Sequence, residues 1–157
     1  MTTTVSPRPA KRTQRKGRIL LWGKSGSGKT LTSLKLARGL AGPDGTICVI
    51  DTDDEASTLY ADEHRFDIQP LDPPFESDRF TEVLRQLSPH YDVVVLDIGT
   101  HEWSGEGGCL EIRDREAIRL KDNSWAAWAK VTPAHQPFSR PSCAARRISS
   151  SPYGPRR

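Results

Sequence analysis

A glycine-rich segment near the N-terminus has the residue types that hold phosphate groups. Residues 23–30 read GKSGSGKT and fit the pattern G-x-x-x-x-G-K-[ST] at every defined position. In such a loop, glycines allow consecutive backbone N–H groups to point at phosphate oxygens, at the positive end of the following helix. Lys29 is expected to reach the β- and γ-phosphates, and the Thr30 hydroxyl is expected to bind Mg²⁺.

The nucleotide is predicted to lie against the whole of this loop. We take ATP as the ligand, although the pattern alone leaves GTP open. Lys29 is also predicted to be catalytic, because its charge lies at the phosphate that is transferred. The expected nucleotide-binding residues are consecutive: Gly23, Lys24, Ser25, Gly26, Ser27, Gly28, Lys29 and Thr30.

Two apolar runs further along the chain end in aspartates, and a phosphate-transfer site requires such carboxylates. Asp97 follows four branched apolar residues, 93–96, and is the candidate that holds the magnesium ion together with Thr30. Asp51 and Asp53 end an earlier apolar run, at the sheet edge where α/β proteins place ligands. One of them is expected to orient the attacking water, and Asp53 is our candidate; a solvated turn is the alternative.

Polar residues after Asp97 are expected to pass the γ-phosphate as the chain leaves the sheet. Thr100, His101 and Glu102 are therefore candidate phosphate sensors, and Glu102 is a candidate catalytic residue. A structural role is the alternative for both His101 and Glu102, since a lone histidine is more often structural than catalytic.

The elements that must position these residues alternate between strands and helices. Apolar runs predict parallel strands at 19–22, 46–50 and 93–97, the first of them buried. Helical spacing predicts helices at 30–40 and 80–87, the second capped by Ser77 or Asp78. Three prolines within 69–76 predict a loop. The order strand, helix, strand, helix, strand predicts an α/β fold with a parallel sheet.

A further helix is indicated by tryptophans late in the chain. Trp125 and Trp128, with Ala129, are expected to form its buried stripe, and stacking on nucleic-acid bases is the alternative. Thr132 and Pro133 are expected to begin a separate helix, because proline is favoured at the first helical position.

Composition and charge indicate one soluble core with basic ends. The chain has 157 residues and a net charge of +3, yet residues 1–18 carry six Lys/Arg and residues 137–157 carry five Arg, with no acid in either segment. We predict a disordered basic arm at 1–17, a core at 18–136 and a disordered tail at 137–157. A basic end that contacts nucleic acid is the alternative.

The sequence also indicates a cytoplasmic protein with reduced cysteines. It has no apolar run of the length that a membrane span or a signal peptide needs. Its three cysteines, Cys48, Cys109 and Cys143, lack CxxC or Cys/His spacing, so neither a disulfide framework nor a zinc site is expected.

Several motifs together resemble phage-encoded RecA-like ATP-binding proteins of the AAA type, some of which assist single-strand annealing recombination. The likeness runs from about Arg18 to Phe138 and is most specific in IDTDDEASTLYA and THEWSGEGGCL. It implies a P-loop NTPase with a RecA-like sheet that hydrolyses ATP, assembles as homo-oligomers and has single-stranded DNA or a phage recombination protein as its partner. By this resemblance Asp53 stands where the RecA-like core carries its water-activating glutamate. An aspartate reaches about one methylene less, which argues against efficient hydrolysis.

Other classes of P-loop protein share parts of this pattern. A partitioning-type ATPase would explain Lys24 as a second lysine, although Ser25 and the residues after Asp97 depart from that family. A small-molecule kinase would need an arginine-rich lid, which we do not find in the sequence. A nucleotide-binding remnant with little hydrolysis is the non-enzymatic alternative.

The last residues differ abruptly from the rest of the sequence. After about Phe138 the chain is rich in Arg, Ser and Pro, without acids and with few apolar residues. We therefore expect a truncated and frameshifted family member whose sheet is incomplete after the strand ending at Asp97, with no strand in this segment. A native Arg/Ser-rich tail that contacts DNA is the alternative.

Overall fold

The computed structural model describes Pro9, residues 17–121, residues 123–139 and the backbone of residues 146–151. Most of the predicted arm at 1–17 and most of the tail at 137–157 therefore lie outside the described residues. In chain order, the strands and helices are β1 Arg18–Trp22, α1 Lys29–Ala41, β2 Ile47–Asp51, a 3₁₀ helix Ala56–Tyr60, β3 Asp67–Pro70, α2 Ser77–Leu87, β4 Val93–Asp97, α3 His101–Ser104, α4 Cys109–Arg119, α5 Ser124–Ser139 and β5 Arg146–Ser151.

The described strands form one parallel sheet in the order β1-β5-β4-β2-β3. In its centre, Asp51 of β2 stands opposite Asp97 of β4, so both strands end at the same edge. The α/β fold is thereby confirmed, together with helices at 30–40 and 80–87 and strands at 46–50 and 93–97.

Two apolar layers pack on opposite faces of the central strands. Along β4, Val93 and Val95 join the layer that includes Leu34 of α1, while Val94 and Leu96 join the layer that includes Phe80 of α2. All five residues of β2 and of β4 are buried. Helices thus cover both faces of these strands, which is why their sequences are apolar without alternation.

Strand β1 is less buried than its sequence indicates. It lies at one edge of the described sheet, and its residues alternate between half-buried and exposed. Ile19 and Leu21 pack on the α1 layer, whereas Leu20 and Trp22 are 59% and 64% exposed. The prediction of a buried strand was therefore wrong, because the described residues cover one face of β1 and leave Leu20 and Trp22 exposed on the other.

A strand lies where the sequence predicted none. Backbone residues Arg146–Ser151 form β5, which pairs in parallel with β1 on one side and with β4 on the other. The expectation of no strand after Asp97 was thus wrong for these residues. Backbone N–H and C=O groups form the ladder whatever the side chains are, so a gap between two parallel strands accepts a segment of weak strand character.

Helix α5 runs continuously through Pro133 and Pro137, and it corrects two predictions. Thr132 is not an N-cap, since the helix begins at Ser124. The buried residues of α5 are Ala127 and Val131, which are four positions apart, whereas Trp125 is 89% exposed. The predicted buried stripe of tryptophans was therefore wrong for Trp125. Packing against α2 and α4 outweighs the helix-breaking tendency of the two prolines.

Two local predictions also failed around the proline-rich segment. Residues Asp67–Pro70 form the edge strand β3, partly within the stretch predicted as a loop. Glu76 rather than Ser77 or Asp78 stands at the N-cap of α2, and no side chain caps the helix there.

None of the described helices has the length and apolar character needed to cross a membrane.

Candidate functional site

The glycine-rich loop lies between β1 and α1 and is closed by the carbonyl group of Lys24. That oxygen accepts hydrogen bonds from the backbone N–H of Ser27 at 3.3 Å and from Nζ of Lys29 at 2.8 Å. Gly26 and Gly28 have φ angles of 73° and 76°, which side chains other than glycine adopt rarely. The N–H groups in the first turn of α1 point toward the loop, as at any helix N-terminus, and no side chain caps this helix at Gly28.

Thr30 and Asp97 meet at the edge of the sheet although 67 residues separate them. The Thr30 hydroxyl donates a hydrogen bond to Oδ2 of Asp97 at 2.8 Å. Asp97 is 4% exposed at the end of β4. A hydroxyl and a carboxylate oxygen are the hard oxygen ligands that Mg²⁺ prefers, so this pair fits the predicted magnesium site.

Asp51 organises the loop after β2. Its Oδ1 accepts a bond from the backbone N–H of Asp53 at 2.8 Å, and its Oδ2 accepts bonds from the N–H of Ser57 at 3.0 Å and from the Ser57 hydroxyl. Asp51 is 2% exposed. Because its oxygens are already engaged, Asp51 is a poor candidate for orienting a water molecule.

Asp53, by contrast, is exposed and lines a cavity of about 710 Å³. This cavity lies at the carboxyl end of β2 and β3, and its wall includes His101 and five acids: Asp51, Asp53, Asp54, Glu55 and Asp72. Residues 23–30 of the phosphate loop do not line it. The acidic wall would repel phosphates, so this cavity is a poor candidate for holding them.

Thr52 connects the two central strands to His101. Its hydroxyl lies 2.9 Å from the carbonyl oxygen of Asp97, 3.1 Å from that of Ile98 and 2.9 Å from Nδ1 of His101. Both carbonyls can only accept, so the hydroxyl proton goes to them and His101 Nδ1 donates its proton to Thr52. In the neutral imidazole, Nε2 is therefore the acceptor.

Glu102 lies in a different environment from His101, its neighbour on α3. It is 1% exposed and is held among α2, α4 and α5. Its Oε1 accepts hydrogen bonds from the Ser77 hydroxyl, from Nδ1 of His135 at 2.8 Å and from the Cys109 thiol at 3.3 Å. Glu102 does not line the acidic cavity. The structure therefore does not bring Glu102 together with the predicted phosphate residues, and its catalytic role stays a prediction.

Burial also sets the protonation of Cys109. Loss of hydration and the nearby Glu102 carboxylate raise the pKa of the Cys109 thiol and outweigh the hydrogen bond with Ser77, which lowers it, so that the pKa is about 12. In the absence of a bound metal ion, the Cys109 thiol is therefore protonated at neutral pH.

Sequence reasoning missed several residues of these two regions. Thr52 and Ser57 gave no signal beyond their place after an apolar run, and Ser77 was interpreted as a helix cap. Cys109 and His135 are 26 residues apart in sequence, yet Sγ of Cys109 lies 3.8 Å from Nδ1 of His135. No local spacing rule would have paired them, because two different helices carry them.

Comparison with known proteins agrees with the geometry of the phosphate loop. A family model described as "AAA domain" matches residues 15–140 of the 157. No curated protein matches the chain. With the phosphate loop and the Thr30–Asp97 pair inside the matched region, the chain belongs to the AAA domain family of nucleotide-binding P-loop ATPases.

Proposed function

We propose that this protein is an ATP hydrolase of RecA-like type that acts with single-stranded DNA in recombination. The observation that supports the enzymatic part is the 2.8 Å contact between Thr30 and Asp97, which joins the phosphate loop to the end of β4. The DNA part rests on the resemblance carried by residues 50–61 and 100–110.

In this proposal, the residues of the loop bind and orient the triphosphate. The N–H groups after Gly28 and the ammonium group of Lys29 contact the phosphate oxygens, with Lys29 leaving the Lys24 carbonyl that it contacts in the structure. Thr30 and Asp97 would hold Mg²⁺, which neutralises charge on the β- and γ-phosphates when bound. The remaining chemistry is positioning and charge stabilisation.

Asp53 is the residue proposed to orient the attacking water. It is exposed beside the carboxyl ends of β2 and β4, whereas Asp51 is occupied by Ser57 and by the loop backbone. His101, which is linked to Asp97 through Thr52, is proposed to sense the state of the γ-phosphate. Glu102 is proposed to be structural, since its carboxylate is buried among three donors.

The test compares nucleotide binding and turnover in variants of these acids. Asp97→Asn is expected to weaken magnesium-dependent ATP binding, whereas Asp53→Asn is expected to leave binding nearly unchanged and to lower turnover. Asp54→Asn is the matched control, because Asp54 lines the same cavity without a proposed role. If Asp53→Asn lost binding and kept its turnover rate, the assigned roles would be wrong.

A second comparison tests the biological part of the proposal. Hydrolysis is measured with and without single-stranded DNA, and with GTP in place of ATP. Stimulation by DNA supports the recombination function, while equal rates contradict it. Binding of ATP without hydrolysis under either condition would favour a nucleotide-binding remnant.

A further inference from the structure

We propose that Glu102, Cys109 and His135 form a binding site for a divalent transition-metal ion of the zinc class. Each residue offers one ligand atom, and these atoms all lie within 4.8 Å of one another. They come from α3, α4 and α5, which are brought together only by the fold. This site is separate from the magnesium position at Thr30 and Asp97, and it does not depend on the proposed hydrolysis.

The ligand types favour zinc over magnesium. A cysteine sulfur, an imidazole nitrogen and a carboxylate oxygen are all common zinc ligands, whereas magnesium prefers oxygen alone. Binding would release the thiol proton of Cys109, since the thiolate is the ligand. Two anionic ligands then balance the charge of a divalent cation within a largely buried cluster.

The distances within the cluster are close to those of a tetrahedral site. Typical zinc bonds to sulfur, nitrogen and oxygen place ligand atoms about 3.3–3.6 Å apart. Here Cys109 Sγ lies 3.3 Å from Glu102 Oε1 and 3.8 Å from His135 Nδ1. The nitrogen–oxygen pair, at 2.8 Å, is joined by a hydrogen bond that has to lengthen by roughly half an ångström. The side chain of His135 is 31% exposed and can make that adjustment.

The surroundings supply an orienting residue and an access route. Ser77 donates to Glu102 Oε1 and lies 3.4 Å from Cys109 Sγ, so its hydroxyl orients the carboxylate as outer-shell groups do in metal sites. A cavity of about 350 Å³ reaches Ser77 and Cys109 between α2, α4 and α5. An ion can therefore reach the cluster without unfolding the sheet.

Cobalt is the probe for the test, because it takes the place of zinc and absorbs light. The full chain carrying Cys143→Ser is titrated with Co²⁺ after treatment with a chelator. We expect about one equivalent to bind with visible bands of tetrahedral type and a near-ultraviolet thiolate-to-metal band. Cys109→Ser is expected to remove the thiolate band. Cys48→Ser is the matched control, since Cys48 is equally buried but lies in β2, outside the cluster.

Two further variants keep the result decisive if Cys109→Ser fails to fold. His135→Gln changes a partly exposed ligand and should abolish or strongly weaken Co²⁺ binding, while Ser77→Ala should weaken it by about 10- to 100-fold. At zinc concentrations of 100 times Kd, Tm should rise by roughly 5–10 °C and return after chelation. The proposal is overturned if the parent chain binds no Co²⁺, or if the thiolate band persists in Cys109→Ser.

Discussion

His101 and Glu102 are neighbours in one short helix, yet they face two regions of opposite character. His101 contacts Thr52 at the open edge of the sheet, beside the exposed Asp53. Glu102 lies in a buried cluster with Ser77, which donates to its carboxylate. Asp53 is exposed to solvent, whereas Asp51 and Glu102 are buried and accept hydrogen bonds from neighbouring side chains.

The two regions also differ in the kinds of metal-ligand atoms that they contain. At the sheet edge, a hydroxyl oxygen of Thr30 meets a carboxylate oxygen of Asp97 at 2.8 Å. In the cluster, Cys109 and His135 add softer ligands to a carboxylate. The two proposals therefore assign a hard-ligand site to the strand ends and a softer-ligand site to the helices of the same chain.

The largest effect on stability is expected from Glu102→Ala. Removing this buried carboxylate leaves three donors without their acceptor, which should cost about 3 kcal/mol or more of unfolding free energy. Urea unfolding in the presence of a chelator measures it. Glu106→Ala, at an exposed position in the adjoining loop, is the control and should change stability by less than about 0.5 kcal/mol. Equal losses in both variants would show that the cluster is not the more structural region.

Lys29→Ala should have the next largest effect, and it should act on the other region. Loss of a charge-assisted contact with phosphate should weaken ATP binding by about 1.5–3 kcal/mol, or roughly tenfold to 150-fold. Titration calorimetry with Mg-ATP measures it. Lys35→Ala is the control, because Lys35 is exposed on α1 outside the phosphate loop. Equal affinity in the parent and in Lys29→Ala would contradict the phosphate-loop assignment.

Thr52→Val is the mildest change and tests how separate the regions are. It removes the hydroxyl between His101 and the carbonyl of Asp97 while keeping the shape of the side chain, so a loss of about 0.5–1.5 kcal/mol per hydrogen bond is expected. Thr52→Ser keeps the hydroxyl and should retain most of the unfolding free energy of the parent chain. If Thr52→Val also changed metal binding at Cys109 and His135, α3 would couple the two regions.

The elements with the clearest sequence signals are the ones that the structure reproduces most closely. Residues 93–97 and 46–50 have apolar runs without alternation, and they coincide within one residue with β4 and β2, the central strands that are buried on both faces. The loop GKSGSGKT is bounded by β1 and α1 as its pattern requires. These local signals are strong because each depends only on neighbouring residues.

Predictions failed where distant packing decides the outcome. Residues 19–22 are as apolar as a buried strand, but the edge position leaves Trp22 exposed. Strand β5 has little strand character in its sequence, yet it pairs between β1 and β4. Helix α5 continues through Pro133 because its apolar residues pack against α2 and α4. Each outcome depends on which elements lie alongside.

The sequence by itself determined the α/β class, the phosphate loop and the two strand ends that carry Asp51 and Asp97. Periodicity and motif spacing encode these features within short segments. Only the tertiary structure decided which carboxylates are exposed and which are buried. It also placed Glu102 with Cys109 and His135, because helices from distant parts of the chain must pack before their side chains can meet.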